Sequence, residues 1–214
     1  MVRRITNGGR KVIGKFPSIK NGRMVWWESQ LERDFLYLLE IDPDVISYEA
    51  QPLKMEYFME GKIHRYTPDV RVIRTDKKQI VEVKDEVKSK KEEYVQLFRR
   101  VGPICQKEGY EFIVVTDREI RIQPRLDNVK MIYKYAKTPV STKHQILIYA
   151  IFGERETLTL EEVIKGFASK GERAATVHAL IFGGILSVDL SRPLNMGSEV
   201  WLSLALSNKR SKAA

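Results

Sequence analysis

Features that mark exported, disulfide-linked or membrane-bound proteins are missing from this chain. It has one cysteine, Cys105, among 214 residues, which excludes a disulfide framework and a cysteine-rich zinc site. No apolar run approaches the roughly 18 residues that a membrane span needs, and the N-terminus lacks the apolar core of a secretory signal. We therefore expect a protein of the reducing cytoplasm that has no membrane partner.

Histidine is also scarce. The three histidines, His64, His144 and His178, are scattered along the chain and lack the spacing of a zinc site. Cys105 follows Ile104 on the apolar face of an expected helix, where it would fill the core. Any chemistry must therefore come from other side chains.

Negative charge is in short supply. The chain has 37 Lys and Arg against 28 Asp and Glu, which predicts a polyanionic partner such as double-stranded DNA. Residues 1–25 hold no acidic residue and are interpreted as a mobile basic arm, with a short basic tail at residues 207–214. A merely solubilising arm is the alternative. The candidate DNA contacts in the arm are Arg3, Arg4, Arg10 and Lys11.

Hydrophobic periodicity predicts an α/β first domain over residues 26–137. Apolar residues recur at helical spacing over residues 26 to 40, and Asp42-Pro43 ends that helix. Strand patterns follow between residues 45 and 84, with a hairpin turn at Glu60-Gly61. A charged helical segment over residues 90 to 108 and an apolar strand over residues 110 to 115 come next. This order predicts a mixed sheet flanked by helices.

The pattern changes to helices after residue 137, which predicts a small second domain over residues 138–206. Helices are expected over residues 142 to 152, after a capping box at Thr159, and over residues 172 to 182. Two strands, around residues 186 to 190 and 199 to 204, complete a winged helix. Arg173 is a candidate DNA contact on its third helix. Because the net charge of this domain is small, docking to a protein partner remains an equal alternative.

The candidate chemistry lies on two neighbouring strands. Side chains alternate along residues 80 to 84, so Glu82 and Lys84 share one face. Asp69 follows Pro68, and its offset from Glu82 fits a strand, a tight turn and a return strand. Asp69, Glu82 and the Val83 carbonyl could then bind a divalent metal, and Lys84 could polarise a water nucleophile. An ordinary half-buried strand is the alternative.

A helical glutamate could complete this site. Glu32 lies beside Leu31 at the border of the apolar stripe, and Glu28 shares its face four residues earlier. Either glutamate could face the edge of the sheet and contribute a metal ligand. Either could equally be a surface residue paired with a nearby cation.

The segment from residue 28 to residue 52 resembles the start of the TnsA family, the endonuclease subunits of heteromeric transposases. The expected winged helix resembles that family's C-terminal domain, so the resemblance covers nearly the whole chain. The resemblance implies a restriction-endonuclease-like fold with catalytic residues at Glu32, Asp69, Glu82 and Lys84 and metal ligands at Asp69, Glu82, Val83 and Glu32. The motifs that carry it are Ser29-Gln30-Leu31-Glu32, Thr67-Pro68-Asp69-Val70 and Val81-Glu82-Val83-Lys84.

The resemblance also implies an activity and partners. The activity would be hydrolysis at the 5′ ends of a transposon during cut-and-paste excision, while a TnsB-like subunit cuts and joins the 3′ ends under a TnsC-like ATPase regulator. Oxygen ligands suit Mg²⁺, with Mn²⁺ as a substitute. The alternatives are a stand-alone restriction or repair nuclease and a DNA-binding assembly adaptor that has lost catalysis.

Overall fold

The computed structural model describes residues 12–203. The chain forms two compact units that divide between Arg121 and Ile122, sixteen residues before the domain boundary predicted at residue 137. The difference arises because a helix at residues 125–133 packs within the second unit. There the ring of Tyr133 meets the ring of Phe182 edge-on, with 5.8 Å between the centroids.

The first unit contains most of the strands. Its elements are β1 (Gly14–Ser18), β2 (Arg23–Trp27), α1 (Gln30–Ile41), β3 (Val45–Ala50), β4 (Met55–Met59), β5 (Lys62–Tyr66), β6 (Val70–Arg74), β7 (Lys78–Lys84), α2 (Glu86–Ser89), α3 (Glu92–Lys107), β8 (Glu111–Thr116) and α4 (Asp117–Ile120).

A four-stranded sheet in the order β3-β6-β7-β8 is the centre of this unit. The first three strands pair antiparallel, and β7 pairs parallel with β8, which confirms the predicted mixed sheet. Adjacent residues Ile80 and Val81 on β7 are both buried, so both faces of the sheet are covered at this strand. Helix α1 contacts β7, and α3 contacts β8 and β4.

Helix α1 begins later than the hydrophobic pattern predicted. Trp26 and Trp27 belong to β2, where Val25 and Trp27 are buried and Trp26 is exposed. This alternation is that of a strand, and the prediction of a helix from residue 26 was wrong. The helix begins after Ser29, whose side chain accepts a hydrogen bond from the backbone of Glu32.

The described part of the predicted basic arm is ordered into the β1–β2 hairpin, so the prediction of a mobile arm was wrong for residues 12–25. A buried carboxylate fixes the hairpin to the sheet. Glu40 accepts hydrogen bonds of 2.6 Å from both Ser18 Oγ and Tyr48 Oη, and one of 3.1 Å from the Ile19 backbone. The composition alone gave no sign of this partner on α1.

Strands β4 and β5 form a second hairpin. Glu60 and Gly61 both have positive φ, 53° and 75°, which is the backbone of a tight two-residue hairpin turn. The predicted turn is confirmed.

The second unit is mainly helical. Its elements are α5 (Arg125–Tyr133), α6 (Thr142–Phe152), β9 (Thr157–Thr159), α7 (Leu160–Ala168), α8 (Ala174–Phe182), β10 (Leu186–Val188) and β11 (Glu199–Leu202). The strands form an antiparallel sheet in the order β10-β11-β9. The predicted capping box is present, because Thr159 and Glu162 bond each other's backbone N–H groups.

Among residues 12–203, no helix has the length and apolar character needed to cross a membrane.

Candidate active site

Asp69 and Glu82 face each other where β6 and β7 separate. The last paired residues at this end of the strands are Val70 and Val81. Asp69 comes immediately before Val70, and Glu82 comes immediately after Val81. Directly opposed residues of an antiparallel pair share a face, so both carboxylates lie on the same side of the sheet. Asp69 Oδ2 also accepts a hydrogen bond of 2.8 Å from the backbone N–H of Val83.

That hydrogen bond indicates where the Val83 carbonyl points. In a strand, the N–H and C=O of one residue face the same neighbour, and the Val83 N–H faces Asp69. The carbonyl oxygen therefore faces the β6 side of β7, next to the two carboxylates. Here β6 has ended, which leaves this part of the β7 edge open to the site.

The Glu82 carboxylate is nearly inaccessible, at 4% exposure, and it has two side-chain partners. Tyr66 Oη donates a hydrogen bond to Oε2 at 2.5 Å, and Lys84 Nζ lies 2.7 Å from Oε1. Burial and the neighbouring Glu82 both raise the pKa of Tyr66, so its hydroxyl stays protonated and donates. The sequence prediction missed Tyr66, whose signal is a tyrosine ending a strand just before Thr67-Pro68-Asp69.

Lys84 is held as a cation. Burial opposes its charge, but attraction to Glu82, the hydrogen bond that Lys84 donates to Glu82, and attraction to Asp69 outweigh that effect and raise the pKa of Lys84. Its ammonium lies 4.6 Å from the ring centroid of Tyr94 on α3, an arrangement that favours a positive charge. Lys84 is therefore suited to stabilising negative charge and unsuited to accepting a proton.

The charged form of Asp69, in contrast to that of Lys84, is disfavoured. Burial, then the negative charges of Glu82 and Glu32, raise its pKa well above the ordinary value, although the Val83 N–H and Lys84 partly offset this. Like charges held close together in a partly buried site are costly unless a cation compensates them. The repulsion is a physical reason to expect a cation here.

The two glutamates around the start of α1, Glu28 and Glu32, differ in their electrostatic effect on Asp69. Glu32 is the third residue of the helix, and its Oε2 accepts a hydrogen bond of 2.8 Å from the Glu28 backbone N–H, one residue before the N-cap Ser29. Both carboxylates line the same cavity as Asp69. Only Glu32 is among the charges that raise the pKa of Asp69, which makes it the better candidate.

All four predicted catalytic residues line one cavity of about 790 Å³. Its wall carries six carboxylates, which are Glu28, Glu32, Asp69, Glu82, Asp85 and Asp117, and four basic side chains, which are Arg65, Lys84, Lys88 and Arg121. The sequence analysis singled out none of Arg65, Lys88 and Arg121. An excess of carboxylates over basic groups favours binding of a cation.

This part of the chain matches a known family. Residues 42–117 match the family model described as TnsA-like endonuclease N terminal. The match supports a relation of this segment to TnsA-type endonucleases. No curated protein matches the chain.

The TnsA-like segment contains most of the candidate site. It spans β3 to β8 and includes Asp69, Glu82, Val83 and Lys84, while Glu32 lies before it. It also includes Tyr66, the hydrogen-bond donor to Glu82. The match ends at residue 117 and does not reach the second unit.

The residues of the TnsA-like site fit a divalent metal. Among residues 12–203, no three Asp, Glu, His or Cys side chains converge to hold one ion, so metal ligation by Glu32 together with Asp69 and Glu82 stays a prediction. The hydrogen bond from the Glu28 backbone N–H holds the Glu32 carboxylate. Two carboxylates and the Val83 carbonyl remain, and this is a hard oxygen donor set.

Four of the five predicted DNA contacts fall outside the described residues, and the fifth belongs to the second unit. Arg3, Arg4, Arg10 and Lys11 fall outside the described residues. Arg173 is exposed and immediately precedes α8, in the second unit. These contacts remain predictions.

Proposed function

We propose that the chain is a metal-dependent DNA endonuclease subunit of a heteromeric transposase, which hydrolyses phosphodiesters at the 5′ ends of a transposon during cut-and-paste excision. One observation carries the proposal. In a TnsA-like segment, Asp69 and Glu82 lie side by side on the sheet, and Lys84 is held as a cation next to them.

Asp69, Glu82 and the Val83 carbonyl would hold the ion, which is Mg²⁺ or alternatively Mn²⁺, because both accept oxygen ligands and Mg²⁺ retains several waters. Carboxylate oxygens have spare lone pairs, so Glu82 can serve as a ligand while Tyr66 still donates to it. When bound, the metal supplies positive charge and a more acidic water.

The protein groups have separate tasks. Tyr66 fixes the orientation of the Glu82 carboxylate through its 2.5 Å hydrogen bond. Lys84, protonated at neutral pH, stabilises the negative charge that builds on the scissile phosphate. Glu32 adds negative charge beside Asp69, which favours cation binding. Hydrolysis adds water across one P–O bond and leaves a phosphate and a hydroxyl end.

The second unit is proposed to be a winged helix. Three helices, α6 to α8, and the three-stranded sheet with β10 and β11 as a hairpin support this assignment. Helix α8 offers little for reading bases, because Thr176 is 3% exposed and His178 stacks on Tyr135 at 4.6 Å. Only Arg173, just before it, is an exposed cation. These features favour docking to a protein, such as a TnsC-like or TnsB-like partner.

The test is strand-specific cleavage of labelled transposon-end DNA with Mg²⁺, comparing wild type with Asp69→Ala, with and without the cognate transposase subunit. We expect nicking at the 5′ ends that requires the metal, Asp69 and the partner. Robust sequence-specific cleavage by the isolated chain would instead indicate a stand-alone nuclease. DNA and partner binding with no cleavage under any condition would indicate an adaptor.

A further inference from the structure

A second cavity, of about 330 Å³, lies elsewhere in the first unit and has the opposite charge character. Its wall contains three basic side chains, Arg23, Arg71 and Lys78, and one carboxylate, Glu49. The catalytic cavity, in contrast, has more carboxylates than basic groups. One cavity is therefore suited to a cation and the other to an anion.

The two cavities share one face of the central sheet. Arg71 follows Asp69 by two residues on β6, so the two side chains point the same way, about 7 Å apart along the strand. Ile73 pairs with Lys78, and Lys78 has the same parity on β7 as Glu82. The basic cavity therefore lies two to four residues along β6 from the catalytic carboxylates, a distance of roughly 7 to 13 Å.

Two of the three cations in this cavity are uncompensated. Arg71 forms an ion pair with Glu49. Within residues 12–203, the side chains of Arg23 and Lys78 have neither a hydrogen-bond nor an ion-pair partner. The preceding residue, Lys77, differs, because its ammonium lies 3.3 Å from Glu111.

The hairpin turn that brings Arg23 to the cavity is anchored. Asn21 Oδ1 accepts a hydrogen bond of 3.2 Å from the Tyr48 backbone, and Asn21 Nδ2 donates one of 2.9 Å to Ser18 Oγ. The first bond connects the β1–β2 turn to β3, and the second holds the Asn21 side chain against the end of β1. The position of Arg23 is therefore set by the fold, while its long side chain reaches the cavity.

We propose that this cavity binds a backbone phosphate of the DNA that is cut in the neighbouring cavity. The inference rests on the proposed nuclease function. Phosphates recur every 3.4 Å of helix axis along each strand and lie further apart through space because they also rotate about the axis, so a separation of roughly 7 to 13 Å places the bound phosphate within a few nucleotides of the scissile one. The contact carries no base information. It would set the register of the DNA backbone over Asp69 and Glu82.

The test compares Lys78→Ala with Lys77→Ala in the full-length chain. Both variants remove one lysine at adjacent positions, but only Lys78 lines the cavity. Affinity for a duplex of defined sequence is measured by fluorescence anisotropy over a series of salt concentrations. We expect Lys78→Ala to lower the slope of log K against log salt by about 0.9, the value for one phosphate contact, on any sequence. Lys77→Ala should keep the wild-type slope.

A scan of neutral methylphosphonates then identifies the phosphate concerned. One substitution, within a few nucleotides of the cleavage position, should weaken binding by wild type and have little effect on Lys78→Ala. Arg23→Ala should lose sensitivity at the same position. Equal slopes and equal scans for Lys78→Ala and wild type, with DNA binding and cleavage intact, would overturn the subsite alone. A wild-type chain that neither binds DNA nor cuts it with Mg²⁺ and the cognate transposase subunit present would overturn the nuclease function as well.

Discussion

Replacing Asp69 with asparagine should stabilise the metal-free protein at neutral pH. The pKa of Asp69 is raised by burial, Glu82 and Glu32, so the ionised carboxylate disfavours the folded state. Asparagine removes the charge, and its oxygen can still accept the hydrogen bond from the Val83 N–H. The variant should lose metal binding and cleavage while its free energy of unfolding rises.

The magnitude follows from linkage. Each unit by which the pKa in the folded state exceeds the ordinary value is equivalent to about 1.4 kcal/mol, and favourable single substitutions commonly give about 0.5 to 2 kcal/mol. We therefore expect a gain of about 1 to 2 kcal/mol at pH 7. For a chain of this size the gain corresponds to a rise in Tm of about 2 to 8 °C.

The gain should depend on pH with a defined sign. Because the pKa of Asp69 is higher in the folded than in the unfolded state, its contribution favours folding fully below about pH 3.8 and is lost as pH rises through the raised value. The advantage of Asp69→Asn should grow with rising pH and vanish towards pH 4. Mg²⁺ should raise the free energy of unfolding of wild type, by about 2.7 kcal/mol at a hundred times Kd, and with it the Tm, and it should leave the variant unchanged.

Thermal melts in chelator and in Mg²⁺, between pH 4 and pH 8, measure both effects. Asp76→Asn, an identical change at an exposed residue in the β6–β7 turn, is the control and should follow wild type throughout. A variant that is less stable than wild type at pH 7, or a gain that stays constant with pH, would refute the argument from buried like charges.

Three further substitutions test the remaining groups of the site by cleavage assays. Glu32→Gln leaves the N-cap Ser29 in place, and its amide oxygen can still accept from the Glu28 backbone N–H, but it should reduce cleavage at least tenfold. Glu28→Gln should stay within about twofold of wild type, and equal losses would contradict the distinction between the two glutamates. Tyr66→Phe leaves Glu82 without its oriented donor and should weaken metal affinity, measured by titration, about 10- to 100-fold, and an unchanged affinity would mean that the hydrogen bond has no positioning role. Lys84→Ala should lower kcat by about 100- to 1000-fold through loss of transition-state charge stabilisation with little change in DNA affinity, and a pure loss of affinity would assign Lys84 to substrate binding.

The features that were predicted correctly are those that depend on nearby residues, such as the alternation of side chains along a strand and the bounds of a helix. Two-residue alternation and the Pro68-Asp69 step were enough to bring Asp69 and Glu82 together, because register in a hairpin follows from a short turn. Helix α6 has the predicted bounds, Thr142–Phe152, since its apolar pattern and flanking residues agree. The mixed sheet followed from the order of its elements.

Features that depend on distant partners escaped prediction. The hydrogen bond from Tyr66 to Glu82 joins residues sixteen positions apart, and a tyrosine that ends a strand is equally compatible with simple core packing. The β1–β2 hairpin depends on Glu40, more than twenty residues away from Ser18. Local composition, rich in basic residues and poor in acidic ones, suggested a mobile arm because the anchoring carboxylate lies on another element.

The burial of Cys105 makes this protein convenient for optical work. The thiol is 1% exposed, its sulfur lies 4.0 Å from the Met55 sulfur, and burial raises its pKa, which keeps it in the unreactive protonated form. No other cysteine occurs in the chain. A thiol introduced at exposed Asp76 would therefore be the one site that a maleimide dye modifies, with no background substitution required. Distances from that dye to labelled DNA could then be followed on single molecules.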